Sequence, residues 1–177
     1  MTPPGRTRIQ ITAYDPLWPD SFAREAAKIR SSLGTKALRV EHAGSTSVPG
    51  LPAKPIVDIV LEVADSADES AYAPALEAAG YEFTIREPAW HEHRLFKGPD
   101  ADVILHVFSS ACPEIDRMLL FRDWLRANPA DRDLYAAAKL ELVRRDWNRV
   151  QDYADAKTAI VAGIIARANH AALSAGE

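Results

Sequence analysis

Glu41-His42-Ala43-Gly44-Ser45-Thr46-Ser47-Val48-Pro49-Gly50-Leu51-Pro52-Ala53-Lys54-Pro55 runs straight into Ile56-Val57-Asp58-Ile59-Val60-Leu61-Glu62-Val63. The second segment is apolar except at Asp58 and Glu62. An apolar run of this length bounded by turn residues reads as a buried central strand. The loop before it carries glycine, hydroxyls and prolines, so it turns sharply and can present polar groups beside that strand.

Working outward, Ala37 to Glu41 suits a short strand before the loop, and Ser70 to Ala79 a helix closed by Gly80. Tyr81 to Arg86, His93 to Lys97 and Asp102 to Phe108 read as strands, the last two joined as a hairpin across Gly98-Pro99-Asp100. Upstream, Trp18-Pro19-Asp20 opens an amphipathic helix carrying Phe22, Ala26, Ile29 and Leu33 at helical spacing and ending at Gly34. Ile9 and Ile11 suit a short edge strand. From Pro113 the pattern is helical: Pro113 to Ala127, Asp131 to Asp146, and Val150 to Ala168. The expected class is α+β, a mixed sheet with flanking helices and a C-terminal helical segment. The expected layout is one domain over 9–170, with an α/β core at 9–110, a helical cap at 111–170 and a tail at 1–8.

The chain has 177 residues, enough for one domain with a real core. Its net charge of -4 argues against general binding to a nucleic-acid backbone, although a local cationic cluster can still hold a small anion. A single cysteine, Cys112, rules out an intrachain disulfide and suits a reducing compartment. There is no apolar run long enough for a membrane span, and no apolar stretch follows Arg6 and Arg8 as in a secretory signal. A cytoplasmic monomer or small homo-oligomer is expected.

The polar residues in apolar settings are the candidates for chemistry. Gly44-Ser45-Thr46-Ser47 after a strand can offer N–H and O–H donors to an anion, with Lys54 adding charge, or can simply satisfy its own backbone. Asp58 inside an apolar strand needs a cation or a hydrogen-bond donor. Strand alternation puts Asp58, Val60 and Glu62 on one face. His106 shares a face with Asp102, Ile104 and Phe108, and reads as a base, a metal ligand, a phosphate donor or a packed core residue. His91 and His93 would share a face if extended and could contribute to a metal site, while Glu92 and Arg94 share the other. Arg94 either reaches an anion or pairs with Glu92. Arg122 and Arg126, one helical turn apart, suit a phosphate or carboxylate, or a solvated stripe. Finally, Tyr135-Ala136-Ala137-Ala138-Lys139 is echoed by Tyr153-Ala154-Asp155-Ala156-Lys157. Each copy places Tyr and Lys on one helix face, for packing or for a ligand-binding wall.

Tyr14-Asp15-Pro16-Leu17-Trp18-Pro19, the segment Glu41 to Ile59, and Phe121-Arg122-Asp123-Trp124-Leu125-Arg126 resemble the hallmarks of the GrpB family. The resemblance spans roughly Ile9 to Ile165 and implies a nucleotidyltransferase-like fold. It also implies a transferase acting on a nucleotide or a phosphorylated or carboxylated molecule, or else a non-catalytic module binding a nucleotide or a coenzyme A related ligand. Related modules occur fused to dephospho-coenzyme A kinase. By the same resemblance, Gly44 and Ser45 match the Gly-Ser element that holds phosphates, and Asp58 matches the first carboxylate of a metal pair. The second carboxylate falls at Val60, and the third-strand carboxylate corresponds to His106. Tyr153 and Lys157 match Tyr and Lys positions of the family's C-terminal helices. The resemblance thus assigns Asp58 and His106 to catalysis and to a divalent cation, with Mg²⁺, Mn²⁺ or Zn²⁺ as candidates. Gly44, Ser45, Thr46, Ser47, Lys54, Arg94, Arg122, Arg126, Tyr153 and Lys157 are the expected substrate contacts.

Overall fold

The computed structural model describes residues 9–100 and 102–176. The expected N-terminal tail, residues 1–8, lies outside the described residues. Five strands form one mixed sheet: β1 (Arg39–Ala43), β2 (Val57–Val63), β3 (Glu82–Glu87), β4 (His93–Lys97) and β5 (Val103–Ser109), in the spatial order β1-β2-β5-β4-β3. β2 and β5 run parallel, and every other neighbouring pair is antiparallel. β2 has a partner on each side, which is why its sequence is almost continuously apolar.

The two faces of the sheet have different tasks. Ile59, Leu61, Val63, Phe96, Leu105 and Val107 point to one face and pack against Ile29 and Leu33 of α1 (Trp18–Leu33) and Leu76 of α2 (Ala73–Ala78). The opposite face carries Asp58, Val60 and Glu62 of β2 and His106 and Phe108 of β5, as alternation requires. There Val60 and Phe108 meet Ile115 and Leu119 of α3 (Pro113–Ala127). Two more helices, α4 (Pro129–Leu142) and α5 (Val150–Ser174), complete the chain. They form an antiparallel pair: Arg167 late in α5 is bonded to Asp131 early in α4, and Tyr153 early in α5 packs with Leu142 at the end of α4.

Four elements depart from expectation. The segment around Ile9 and Ile11 forms no strand; a single bridge, Thr12 to Ala53, is made there, and Ile9 is buried against Leu142 and Tyr153. The helix expected from Ser70 begins at Ala73, because Pro74 belongs in a first turn and Glu69–Ala71 forms a tight turn before it. The helix expected to reach Asp146 stops at Leu142, where the Trp147 indole N–H folds back onto the Leu142 carbonyl. α5 runs to Ser174, beyond the expected end at Ala168.

Candidate functional site

The segment after β1 is forced into shape at Gly44. Its φ is 69°, and a Cβ there would lie 2.5 Å from Asp58 Oδ2. Only glycine lets the loop pass so close to that carboxylate at that dihedral angle. Ser45–Ser47 then makes one tight turn, and this turn separates the three hydroxyls. Ser45 faces a cavity. Thr46 and Ser47 are buried, with Thr46 Oγ1 donating to the Ile56 carbonyl and Ser47 Oγ to the Gly44 carbonyl. Since Thr46 has given its one proton to Ile56, His42 Nε2, 2.9 Å away, is the donor in their bond. Burial, then the nearby Arg126, lowers His42 to about 4, so it is a neutral imidazole with its proton on Nε2.

The cavity, about 240 Å³, lies between the end of the sheet and the α4–α5 pair. Its polar lining is Ser45, Lys54, Asp58, Lys139, Tyr153 and Lys157. Ile11, Ile56, Ile104 and Val150 supply apolar walls. Both copies of the Tyr-x-x-x-Lys echo therefore converge here, one from each arm of the helical hairpin. In each, the ammonium sits over its own tyrosine ring, 4.8 Å for Lys139 over Tyr135 and 4.6 Å for Lys157 over Tyr153. Lys139 is 2% exposed and donates to the Pro52 carbonyl. Burial, then the charge of Lys157, lowers it to about 7. Burial, then Lys54, lowers Lys157 as well, while Asp58 raises it. Burial pushes Tyr135 up to about 12. Three lysines against one carboxylate leave an excess of positive charge in a small, partly apolar space, which favours an anion.

On the β2–β5 side, His106 Nε2 lies 3.1 Å from Asp58 Oδ1 and His106 Nδ1 lies 3.1 Å from His93 Nε2. Both ring nitrogens are thus engaged. A two-cation centre does not fit this donor set. Among the described residues Asp58 is the only carboxylate lining the cavity, and Val60, buried in the α3 core, supplies no second one. Among the described residues, no three His, Cys, Asp or Glu side chains gather as metal ligands.

Other expected contacts lie elsewhere. Arg94 is on the opposite face of the sheet from Asp58: β4 alternates, Arg94 registers with Val107, and its guanidinium is bound to Glu69 and Glu92. Arg122 is held by Glu41, Asp123 and the His42 carbonyl, and Arg126 donates to the Ser47 carbonyl. Arg126 thus braces the hydroxyl turn and Arg122 the strand that leads into it, and neither lines the cavity. His91 and His93 do not share a strand face, because His91 and Glu92 take left-handed dihedral angles in the β3–β4 turn and β4 begins at His93. A larger hollow of about 690 Å³ lies between α1 and the β4–β5 turn. Asp15, Glu25, Asp100 and Asp102 outnumber Arg24 around it, which opposes an anionic ligand.

The family model described as GrpB protein matches residues 8–167. A UPF0157 protein of Halalkalibacterium halodurans is 62% identical, covering 94% of this chain and 85% of its own length. The dephospho-CoA kinase of Mycobacterium tuberculosis is 32% identical over a region that covers 86% of this chain and 44% of the kinase. Among solved structures, the conserved protein GrpB from Enterococcus faecalis superposes with a TM-score of 0.80 at 33% identity, covering 90% of this chain and 96% of that one. The Cid1 poly(U) polymerase matches with a TM-score of 0.52 at 16% identity, covering 75% and 43%, which shows a shared nucleotidyltransferase-like fold.

Proposed function

The chain belongs to the GrpB family, and from that premise we propose that it is a small-molecule transferase of the nucleotidyltransferase type whose substrate is a nucleotide or another phosphorylated or carboxylated molecule. The observation that carries this reading is the convergence of Lys54, Lys139 and Lys157 on Ser45 and Asp58 in one cavity. The ammonium groups and the Ser45 hydroxyl hold the phosphate or carboxylate by charge-assisted hydrogen bonds. Ile56, Ile104 and Val150 exclude water around it. Asp58 is then placed to take the proton of an attacking hydroxyl. The lysines neutralise charge where related chemistry uses cations. The kinase relative makes coenzyme A and its precursors one ligand class to test.

Val60, in place of a second carboxylate, favours a second reading, a binding module for the same ligands without turnover. Calorimetry against ATP, CTP, GTP and coenzyme A, each with and without Mg²⁺ or Mn²⁺, tests the pocket. Saturable binding of at least one is expected, and no binding of any removes the nucleotide reading. Asp58→Asn separates the two readings, since lost turnover with retained affinity identifies an enzyme.

A further inference from the structure

The two Tyr-x-x-x-Lys copies at the cavity both place an ammonium over a tyrosine ring, but the tyrosine hydroxyls differ. Tyr135 has the Ser45 side chain as a hydrogen-bonding neighbour. Tyr153 is 3% exposed and lines the cavity, yet its hydroxyl has no hydrogen-bond partner; among the described residues it is the one buried side-chain polar atom so placed. Trp147 packs edge-on against the ring at 6.1 Å, and Ile9 and Leu142 join it in one apolar cluster. The phenol is therefore kept inside and not turned out to water. A buried hydroxyl without an acceptor destabilises the protein that carries it, and a phenylalanine would pack there without that loss. Its presence beside the cavity points to an acceptor that a ligand brings.

Charge and donor count say what kind of acceptor. Lys54, Lys139 and Lys157 face one carboxylate, Asp58, which leaves a surplus of two positive charges when all three lysines are protonated. Ammonium groups and phenols are donors first, so the lining offers far more donors than acceptors. A carboxylate brings one negative charge and two oxygens, and a phosphate diester also brings one charge. A phosphate monoester brings about two charges and three strong acceptor oxygens. The monoester alone matches the surplus and has an oxygen to spare for Tyr153. At about 240 Å³ the cavity is smaller than the roughly 300–1,000 Å³ of sites that enclose a whole small ligand, so it takes the anionic end of a molecule and leaves the rest at its mouth.

We propose that the cavity selects a phosphate monoester, the terminal phosphate of the substrate, over a carboxylate or a phosphate diester, and that the Tyr153 hydroxyl donates to one of its oxygens while the lysines and Ser45 hold the others. The inference rests on the pocket reading and narrows its substrate class. Tyr153 is then a specificity residue, which touches the phosphate and takes no part in making or breaking bonds. Lys139 keeps protons for the ligand even while it donates one to the Pro52 carbonyl.

Inorganic phosphate, methyl phosphate, dimethyl phosphate and acetate carry the test, titrated into the full chain at about pH 7.5, where a monoester is mostly the dianion, with amide NMR shifts as the readout. Inorganic phosphate and methyl phosphate are expected to bind at least about tenfold tighter than dimethyl phosphate or acetate. Tyr153→Phe removes only the oxygen. It is expected to raise the melting temperature of the ligand-free protein by about 2–4 °C and to weaken methyl phosphate binding about tenfold. The inference is overturned if acetate or dimethyl phosphate binds as tightly as methyl phosphate, if methyl phosphate shows no saturable binding, or if Tyr153→Phe binds it like the parent. A lower melting temperature for Tyr153→Phe overturns it too, since the hydroxyl would then have a structural partner already. The pocket reading fails separately. It falls if no nucleotide or coenzyme binds, whereas acetate binding as tightly as methyl phosphate leaves it standing and removes only the monoester.

Discussion

Replacing Lys139 by methionine is expected to stabilise the ligand-free protein while weakening anion binding. Lys139 is 2% exposed, is hydrogen bonded to one backbone carbonyl, and has its value moved from 10.5 to about 7. At about 1.4 kcal/mol per pH unit, that lowering opposes the protonated folded state by roughly 5 kcal/mol. The sign follows from proton counts. Between about pH 7 and the ordinary lysine value, the unfolded chain holds a proton that the folded chain lacks, so this residue makes stability rise by about 1.4 kcal/mol per pH unit. Below about 7 the slope vanishes and the full opposition remains. Methionine fills similar volume, carries no charge, and gives up the Pro52 hydrogen bond and the Tyr135 contact, together about 1–2 kcal/mol. Urea unfolding at a series of pH values from 6.5 to 9.5 reads the difference. The variant is expected to be more stable by about 2–4 kcal/mol near pH 7, with the advantage shrinking as pH rises. A variant less stable than the parent at pH 7, or a difference independent of pH, would refute the reasoning that this lysine is kept for binding at the expense of stability.

Two further outcomes follow from the loop. Gly44→Ala is expected to lower stability by about 1–3 kcal/mol, through the positive φ and the contact with Asp58 Oδ2, and to abolish ligand binding by turning Asp58 away; thermal melts and calorimetry check both. Arg122→Ala removes the partner of Glu41 and Asp123 and is expected to cost about 1–3 kcal/mol in urea unfolding, with ligand affinity changed less than about threefold, because Arg122 braces the loop and does not line the cavity.

Much of the fold was legible because periodicity reports burial directly. The apolar run of β2, the alternation of Val103, Leu105 and Val107 against Ile104 and His106, and the helix Pro113–Ala127 all follow from local pattern. Helix ends set by tertiary contacts were not legible: the stop at Leu142 depends on Trp147 folding back. For the site, Asp58 in an apolar strand was the strongest local signal, and the Tyr-x-x-x-Lys echo was visible as a repeat. That Lys139 and Lys157 converge follows from the turn between α4 and α5, which no local spacing encodes. Arg94 illustrates the opposite case. The sequence left it between an anion contact and a pair with Glu92; a single residue of strand alternation puts it across the sheet from Asp58, where it pairs with Glu92 and Glu69. His93 looked like half of a histidine pair with His91; strand register joined it to His106 and Glu87 instead.

The central claim is that the lysine-lined cavity holds the anionic part of the substrate. The most direct measurement is a crystal structure with a thiophosphate analogue of whichever nucleotide or coenzyme binds tightest, its sulfur located by anomalous scattering. The claim predicts that sulfur within reach of the Lys139 and Lys157 ammonium groups, beside Ser45 and Asp58. A sulfur bound at Arg122 and Arg126, or in the hollow between α1 and the β4–β5 turn, would contradict it.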